Sequence, residues 1–216
     1  MAGTITALKV QKRNRNRVNV YLDERYSFSL VAHLAVPLRR GQFLSDEEIA
    51  RLKDEDEVHQ VYERATKLIA HRPRSEAEVR GRMERQGTAP HLVNKVIEKL
   101  TTVGLINDVE FAQLWIENRE AFRPRSRQML RYELRQKGLD ERVIDQALEQ
   151  FDEEESAHRL ALQQGQRLSR LDWPTFRQKL TGYLARRGYP YEMARSAVRE
   201  AWHSLSEDDF DILEED

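Results

Sequence analysis

At 216 residues, 39% apolar and 34% charged, the chain lies below the usual apolar share of roughly 45–50% and above the usual charged share of about a quarter, which suits thin packing with much exposed surface. The absence of cysteine excludes disulfides and thiolate metal sites. No apolar run is long enough for a bilayer and Met1-Ala2-Gly3-Thr4 lacks a signal-peptide pattern, so no membrane contact and a cytoplasmic protein are expected. The net charge of −1 conceals seven acids and no base in residues 206–216; residues 1–205 hold 36 bases against 30 acids, a net of +6 that suits an anionic partner.

Residues 1–44 read as a small β-rich segment. Ile5, Leu8 and Val10, then Val18, Val20 and Leu22, then Tyr26, Phe28 and Leu30 alternate with polar neighbours as in a three-stranded meander. Lys12-Arg13-Asn14-Arg15-Asn16-Arg17 and Asp23-Glu24-Arg25 are the hairpin turns, the first an electropositive tip. Ser45-Asp46-Glu47-Glu48 is a capping box that opens a helix. Its acidic continuation Asp54-Glu55-Asp56-Glu57 completes a linker segment over residues 45–57.

From residue 58 onward the sequence repeats. Arg72-Pro73-Arg74-Ser75 returns as Arg123-Pro124-Arg125-Ser126, and Val79, Met83, Gly87, Leu92, Val96 and Leu100 match Leu130, Leu134, Gly138, Val143, Ala147 and Phe151 at a constant shift of 51 residues. A weaker copy follows at Pro174, Leu180, Leu184, Gly188, Met193, Ala197 and Ala201. Such self-similarity marks an array.

Three-helix repeats are expected over residues 58–106, 107–155 and 156–205. Pro73 breaks a first helix, Ser75 and Glu78 cap a second, Gly87 ends it in the left-handed conformation, and Pro90 opens a third. In the second repeat Asp108 is the expected N-cap, with Phe111, Leu114, Trp115 and Phe122 on the buried face. Residues 206–216, charged and poor in apolar groups, are expected to be a disordered acidic tail. The fold class is therefore mainly α, a tandem array of three three-helix repeats preceded by a small β-rich N-terminal segment.

No catalytic or cofactor signature is present. Phosphate-binding glycine loops are missing, the six histidines are scattered without metal-ligand spacing, and the carboxylates cluster in linker-like runs. Trp115 and Trp202 fall in phase with core positions, while Trp173, beside Pro174, is left open between packing and base stacking. The chemical signal is basic charge. Arg127, Arg131 and Arg135 lie at four-residue spacing along one helix face, with Arg123, Arg125 and Lys137 nearby and Glu133 as the opposing acid. The first repeat adds Arg72, Arg74 and Arg80. These nine residues are the candidate partner-binding surface, expected to be exposed with few local partners. Major-groove readout is disfavoured, because Glu141, Asp145, Gln146 and Glu149 occupy the helix that would face phosphates.

The tandem repeats, Arg-Pro-Arg-Ser-Glu-Ala-Glu-Val from Arg72, Gly104-Leu105-Ile106-Asn107-Asp108-Val109-Glu110-Phe111-Ala112 and the Leu-Arg-Gln-Lys-Gly-Leu run from Leu134 resemble the RecX regulatory proteins over roughly residues 5–205. Trp173-Pro174-Thr175 departs from the basic pattern of the other two repeats. The resemblance implies a non-catalytic regulator that binds the RecA filament on single-stranded DNA and modulates, with inhibition the expected direction, its ATPase, strand-exchange and coprotease activities in recombination, repair and the SOS response; a monomer without a cofactor is expected. The alternative is a sequence-tolerant DNA-binding protein whose basic helices contact DNA phosphates directly.

Overall fold

The computed structural model describes the backbone of residues 1–211 and side chains through Ser206. Strands β1 (Gly3–Val10), β2 (Arg17–Leu22), β3 (Arg25–Val31) and β4 (Phe43–Leu44) form an antiparallel sheet in the order β3-β2-β1-β4. The fourth strand, too short to show a period, is fixed by pairing of Gly3 with Leu44 and Thr4 with Phe43. Asp23 and Glu24, at φ 47° and 66°, form the β2–β3 turn; left-handed geometry at two successive residues matches the right-handed twist of paired strands. Ile5, Val20, Leu22, Phe28 and Leu30 line one face of the sheet and pack with Leu38, Leu44 and Ile49. The four-residue helix α1 (Ala32–Ala35) follows β3.

Helix α2 (Asp46–Ala70) opens on the expected capping box, the Ser45 hydroxyl accepting from the Glu48 N–H and the Glu48 carboxylate accepting from the Ser45 N–H. It then runs unbroken for 25 residues, so residues 45–57 are not a linker. Asp56, only 5% exposed, accepts from the Val31 N–H and the Gln60 amide, each at 2.7 Å, and pairs with Arg17 at 2.9 Å. Arg17, expected in the exposed basic turn, also donates to the Ser29 carbonyl. Charge runs along a sequence give signs but not partners, and these two residues lie 39 positions apart.

The array comprises α3 (Glu76–Arg85), α4 (Pro90–Thr102), α5 (Asp108–Phe122), α6 (Arg127–Gln136), α7 (Glu141–Leu148), α8 (Glu153–Gly165), a 3-10 turn at Gln166–Leu168, α9 (Trp173–Arg186) and α10 (Tyr191–Asp211). Each repeat owns a core. Val61, Ala65, Val79, Met83, Val93, Val96 and Leu100 form the first, Phe111, Ile116, Leu130, Leu134, Ile144 and Leu148 the second, and Leu160, Phe176, Leu180, Leu184 and Val198 the third. Fully burying one such side chain stabilises by about 1.5–3 kcal/mol. Gly87, Gly138 and Gly188 end the middle helices at φ 78°, 78° and 92°. The chain divides into two units, Met1–Pro73 with Val79–Ile106 and Arg74–Glu78 with the residues from Asn107 on.

Three local expectations change. The N-cap of α5 is Asn107, whose side chain accepts from the Val109 and Glu110 N–H groups, while Asp108 reaches to α3 and accepts from the Glu76 N–H at 2.8 Å. Phe122 and Leu114 are exposed; Phe122 has the right phase, but it is the last residue of α5, where the helix outruns its cover. Helix α10 continues through Asp211, so the segment from residue 206 begins as helix rather than as a disordered tail, and residues 212–216 lie outside the described residues.

Candidate partner-binding surface

Helix α6 begins at Ser126, whose hydroxyl accepts from the Met129 N–H. Leu130 and Leu134 turn into the core, which sets Arg127, Arg131 and Arg135 along the flank facing α7. There the stripe departs from the expectation of few partners. Arg131 pairs with Glu141 at 3.0 Å and Asp145 at 2.5 Å, and Arg135 pairs with both oxygens of Glu141. The hydrogen bond from Arg135 holds the Glu141 carboxyl below the ordinary range, and the same bond raises the Arg135 guanidinium. Arg127 points inward and donates to the carbonyls of Leu148 and Phe151, at and just beyond the end of α7. A cation at a helix C-terminus satisfies carbonyls that lack intrahelical donors and opposes the helix dipole. Two of the acids that argued against groove readout, Glu141 and Asp145, are therefore partners of the arginines, brought opposite them by the glycine turn.

Glu133 is the second hub. Its carboxylate accepts from the Trp115 indole at 2.9 Å and from Arg119 at 2.6 Å, and Arg125 approaches at 3.7 Å, too far for a hydrogen bond. The buried Arg125 Nε has no hydrogen-bond partner. Arg119 and Lys137 both lie over the Trp115 ring, at 4.4 and 4.7 Å, which confirms Trp115 as a packed residue. Lys137 also pairs with Glu78 at 3.0 Å. Arg123, the C-cap of α5, is exposed.

In the first repeat, Arg72 donates to the Pro73 carbonyl and Arg80 to the Asn94 side chain at 2.7 Å, while Arg74 is half-buried. The structure thus gathers Arg119, Arg125, Arg131 and Arg135 into charge networks of the second repeat and ties Arg127 to backbone carbonyls and Lys137 to Glu78, but it does not merge all nine candidates into one uncompensated stripe.

The serine of each Arg-Pro-Arg-Ser, legible in the sequence as a helix cap, has a second role that the sequence did not reveal. Ser75 and Ser126 are both fully buried. The Ser75 hydroxyl accepts from the Glu78 N–H and donates to the Lys137 carbonyl at 2.6 Å; the Ser126 N–H donates to the Arg187 carbonyl at 3.1 Å. Each serine therefore meets the end of the middle helix of the following repeat, beside Gly138 or Gly188. A side chain on Gly138 would overlap Ala77, and one on Gly188 would stand 2.5 Å from the Ser126 hydroxyl. The signal was present, because the shift that carries Ser75 to Ser126 also carries Gly138 to within one residue of Gly188. In the third repeat the corresponding residue is Phe176, buried in an aromatic cluster with Trp202 at 4.9 Å and Trp173 at 6.4 Å. Trp173 is thereby assigned to packing.

Among the described residues no group of His, Asp and Glu is placed to hold a metal, and no helix is long and apolar enough to cross a membrane.

Family models match the chain in order: the RecX N-terminal domain over residues 3–39, and the first, second and third RecX three-helix domains over 62–100, 107–148 and 152–198. Proteins named Regulatory protein RecX from Listeria welshimeri and Bacillus subtilis are 32% and 30% identical, covering 97% and 94% of this chain and 80% and 79% of those relatives. The fold matches a crystal structure of regulatory protein RecX with a TM-score of 0.72 at 25% identity, covering 93% of this chain and all of that one. A crystal structure of RecX from Lactobacillus salivarius shares the fold over 68% of this chain with a TM-score of 0.59 at 20% identity. A strand-bearing head, three helical repeats each matched in order by its own model, and relatives that run nearly the length of the chain place this protein in the RecX family of regulatory proteins.

Proposed function

We propose that this protein regulates the RecA recombinase by binding the RecA nucleoprotein filament on single-stranded DNA, restraining its ATPase, strand-exchange and coprotease activities without a catalytic step of its own. The observation that carries this reading is the array of three repeats, each with a separate core and a separately matched family model. Repeats that engage successive protomers of one filament add weak contacts into avidity, and a bridge across protomers opposes the motions that accompany ATP turnover. The protein acts as a monomer in the cytoplasm.

Within the basic surface the proposed roles divide. Arg123 is exposed and supplies charge to the partner directly, whereas Arg135 and Arg131 do so by exchanging their pairs with Glu141 and Asp145 for anions of the partner. Arg125, Arg127 and Lys137 hold the second repeat in shape, and Arg72, Arg74 and Arg80 extend the surface along the first. The test is a titration of RecA ATPase on single-stranded DNA with the folded full-length protein. Inhibition that saturates at less than one molecule per RecA protomer supports filament bridging; an unchanged rate at saturating protein removes the reading.

A further inference from the structure

The middle repeat carries most of its cations in pairs, whereas the third does not. Residues 156–191 hold seven basic residues and a single acid, Asp172, for a net of +6, and α9 contains no acid. Two of the seven are occupied: Arg159 pairs with Glu120, and Arg187 donates to the Pro124 carbonyl and the Tyr183 hydroxyl. Arg167, Lys179 and Arg186 converge on one cleft of about 400 Å³, with Gln164, Gln178 and Tyr183 on its walls and, among the described residues, no carboxylate in its lining. Among the described residues none of these three cations has an ion-pair partner. Lys179 and Arg186 are seven residues apart on α9, hence on one face and about 10.5 Å apart along the axis. Arg167 joins them from the 3-10 turn after α8.

We propose that this cleft is a phosphate-binding site for a single strand of nucleic acid. Three cations at one concave site, none of them paired among the described residues, repel one another, a cost that a bound polyanion relieves. The neighbours favour phosphodiester over protein carboxylate. Gln164 and Gln178 offer neutral amide donors to the non-bridging oxygens, and the half-buried Tyr183 ring, covered by Arg187 at 4.9 Å, puts an aromatic surface beside the charges. Cations that track a backbone next to an aromatic residue are the elements of sequence-tolerant single-strand binding. The site lies outside the nine basic residues of the first two repeats and makes the departure at Trp173-Pro174-Thr175 a change of anchoring residue rather than a loss of binding.

The test uses the full chain, without recombinase, and fluorescence anisotropy of a labelled twelve-residue oligo(dT) between 50 and 200 mM salt. Its outcome is therefore independent of the filament reading. Single-strand binding loses about 0.7 in logarithmic salt slope per neutralised phosphate. The triple variant Arg167→Gln, Lys179→Gln, Arg186→Gln should lower the slope by about 2 and weaken low-salt affinity at least tenfold, and Lys179→Gln alone should lower the slope by about 0.7. The comparison variant Arg51→Gln, Arg64→Gln, Lys67→Gln removes equal charge from exposed positions of α2 and should leave the slope near that of the wild type. The proposal is overturned if the wild type does not bind the oligonucleotide, if the two triple variants weaken binding equally, or if polyglutamate displaces the strand as well as polyphosphate of equal charge does.

Discussion

Replacing Arg127 by alanine removes the guanidinium that donates to the Leu148 and Phe151 carbonyls. It also removes the cation over the Phe151 ring at 5.6 Å. Phe151 and Leu148 belong to the core of the second repeat, so their carbonyls have limited access to replacement water. A hydrogen bond to a charged group contributes about 1.5–3 kcal/mol. Two such bonds on one side chain do not add fully, which gives a loss of about 3 kcal/mol. At about 2–4 °C per kcal/mol for a chain of this size, the melting temperature should fall by roughly 6–12 °C. Arg127→Lys keeps the charge but not the two-pronged donor and should recover part of the loss. Arg135→Ala, which cuts an exposed pair on the same helix, should melt close to the wild type. The assay is thermal unfolding followed by circular dichroism at 222 nm. An Arg127→Ala protein that melts with the wild type would refute the assignment of Arg127 as a structural clamp and return it to the binding surface.

Asp56→Ala should destabilise the first unit by about 3 kcal/mol, the low end for breaking a buried pair, because it leaves the half-buried Arg17 without its charge partner and the Val31 N–H without its acceptor; the double variant Arg17→Met, Asp56→Leu should regain most of that in urea unfolding, and failure to do so would locate the stability in the Val31 and Gln60 bonds instead. Gly87→Ala, in open space, should cost about 1–2 kcal/mol for its left-handed backbone, and Gly188→Ala clearly more, because its new methyl group meets Ser126 and Met129; equal costs would mean that the Ser126 contact yields freely. Burial holds the Asp108 carboxyl above its ordinary value of 3.8, against the lowering effect of the Glu76 N–H bond. A folded pKa above the unfolded one gives a contribution fully present below the unfolded value and lost as pH rises through the folded value. Asp108→Asn should therefore flatten the stability profile just above pH 3.8, and melts at stepped pH that parallel the wild type would disprove it.

Much of the fold is local chemistry and could be read directly. The Ser45 capping box, the glycines at 87, 138 and 188, Pro90 at a helix start and the 51-residue shift each act within a few residues or recur by copying, so they are visible in the chain itself. The separate cores follow, because apolar residues at helical spacing have one face to bury. What tertiary structure alone decided is the pairing of charge and the use of serine. Arg17 meets Asp56, Arg131 and Arg135 meet Glu141, and Ser75 reaches the Lys137 carbonyl across separations of 39, 10, 6 and 62 residues. The stripe on α6 was legible as charge but not as a clamp, since the acids that neutralise it lie on another helix, turned toward it by Gly138. The third repeat reverses the case: its basic residues were visible but undistinguished, and only the turn at Gln166–Leu168, folding Arg167 against α9, shows that three of them share a cleft. Backbone signals are short-ranged because φ and ψ respond to near neighbours, whereas an ion finds its partner in space, after the helices have packed.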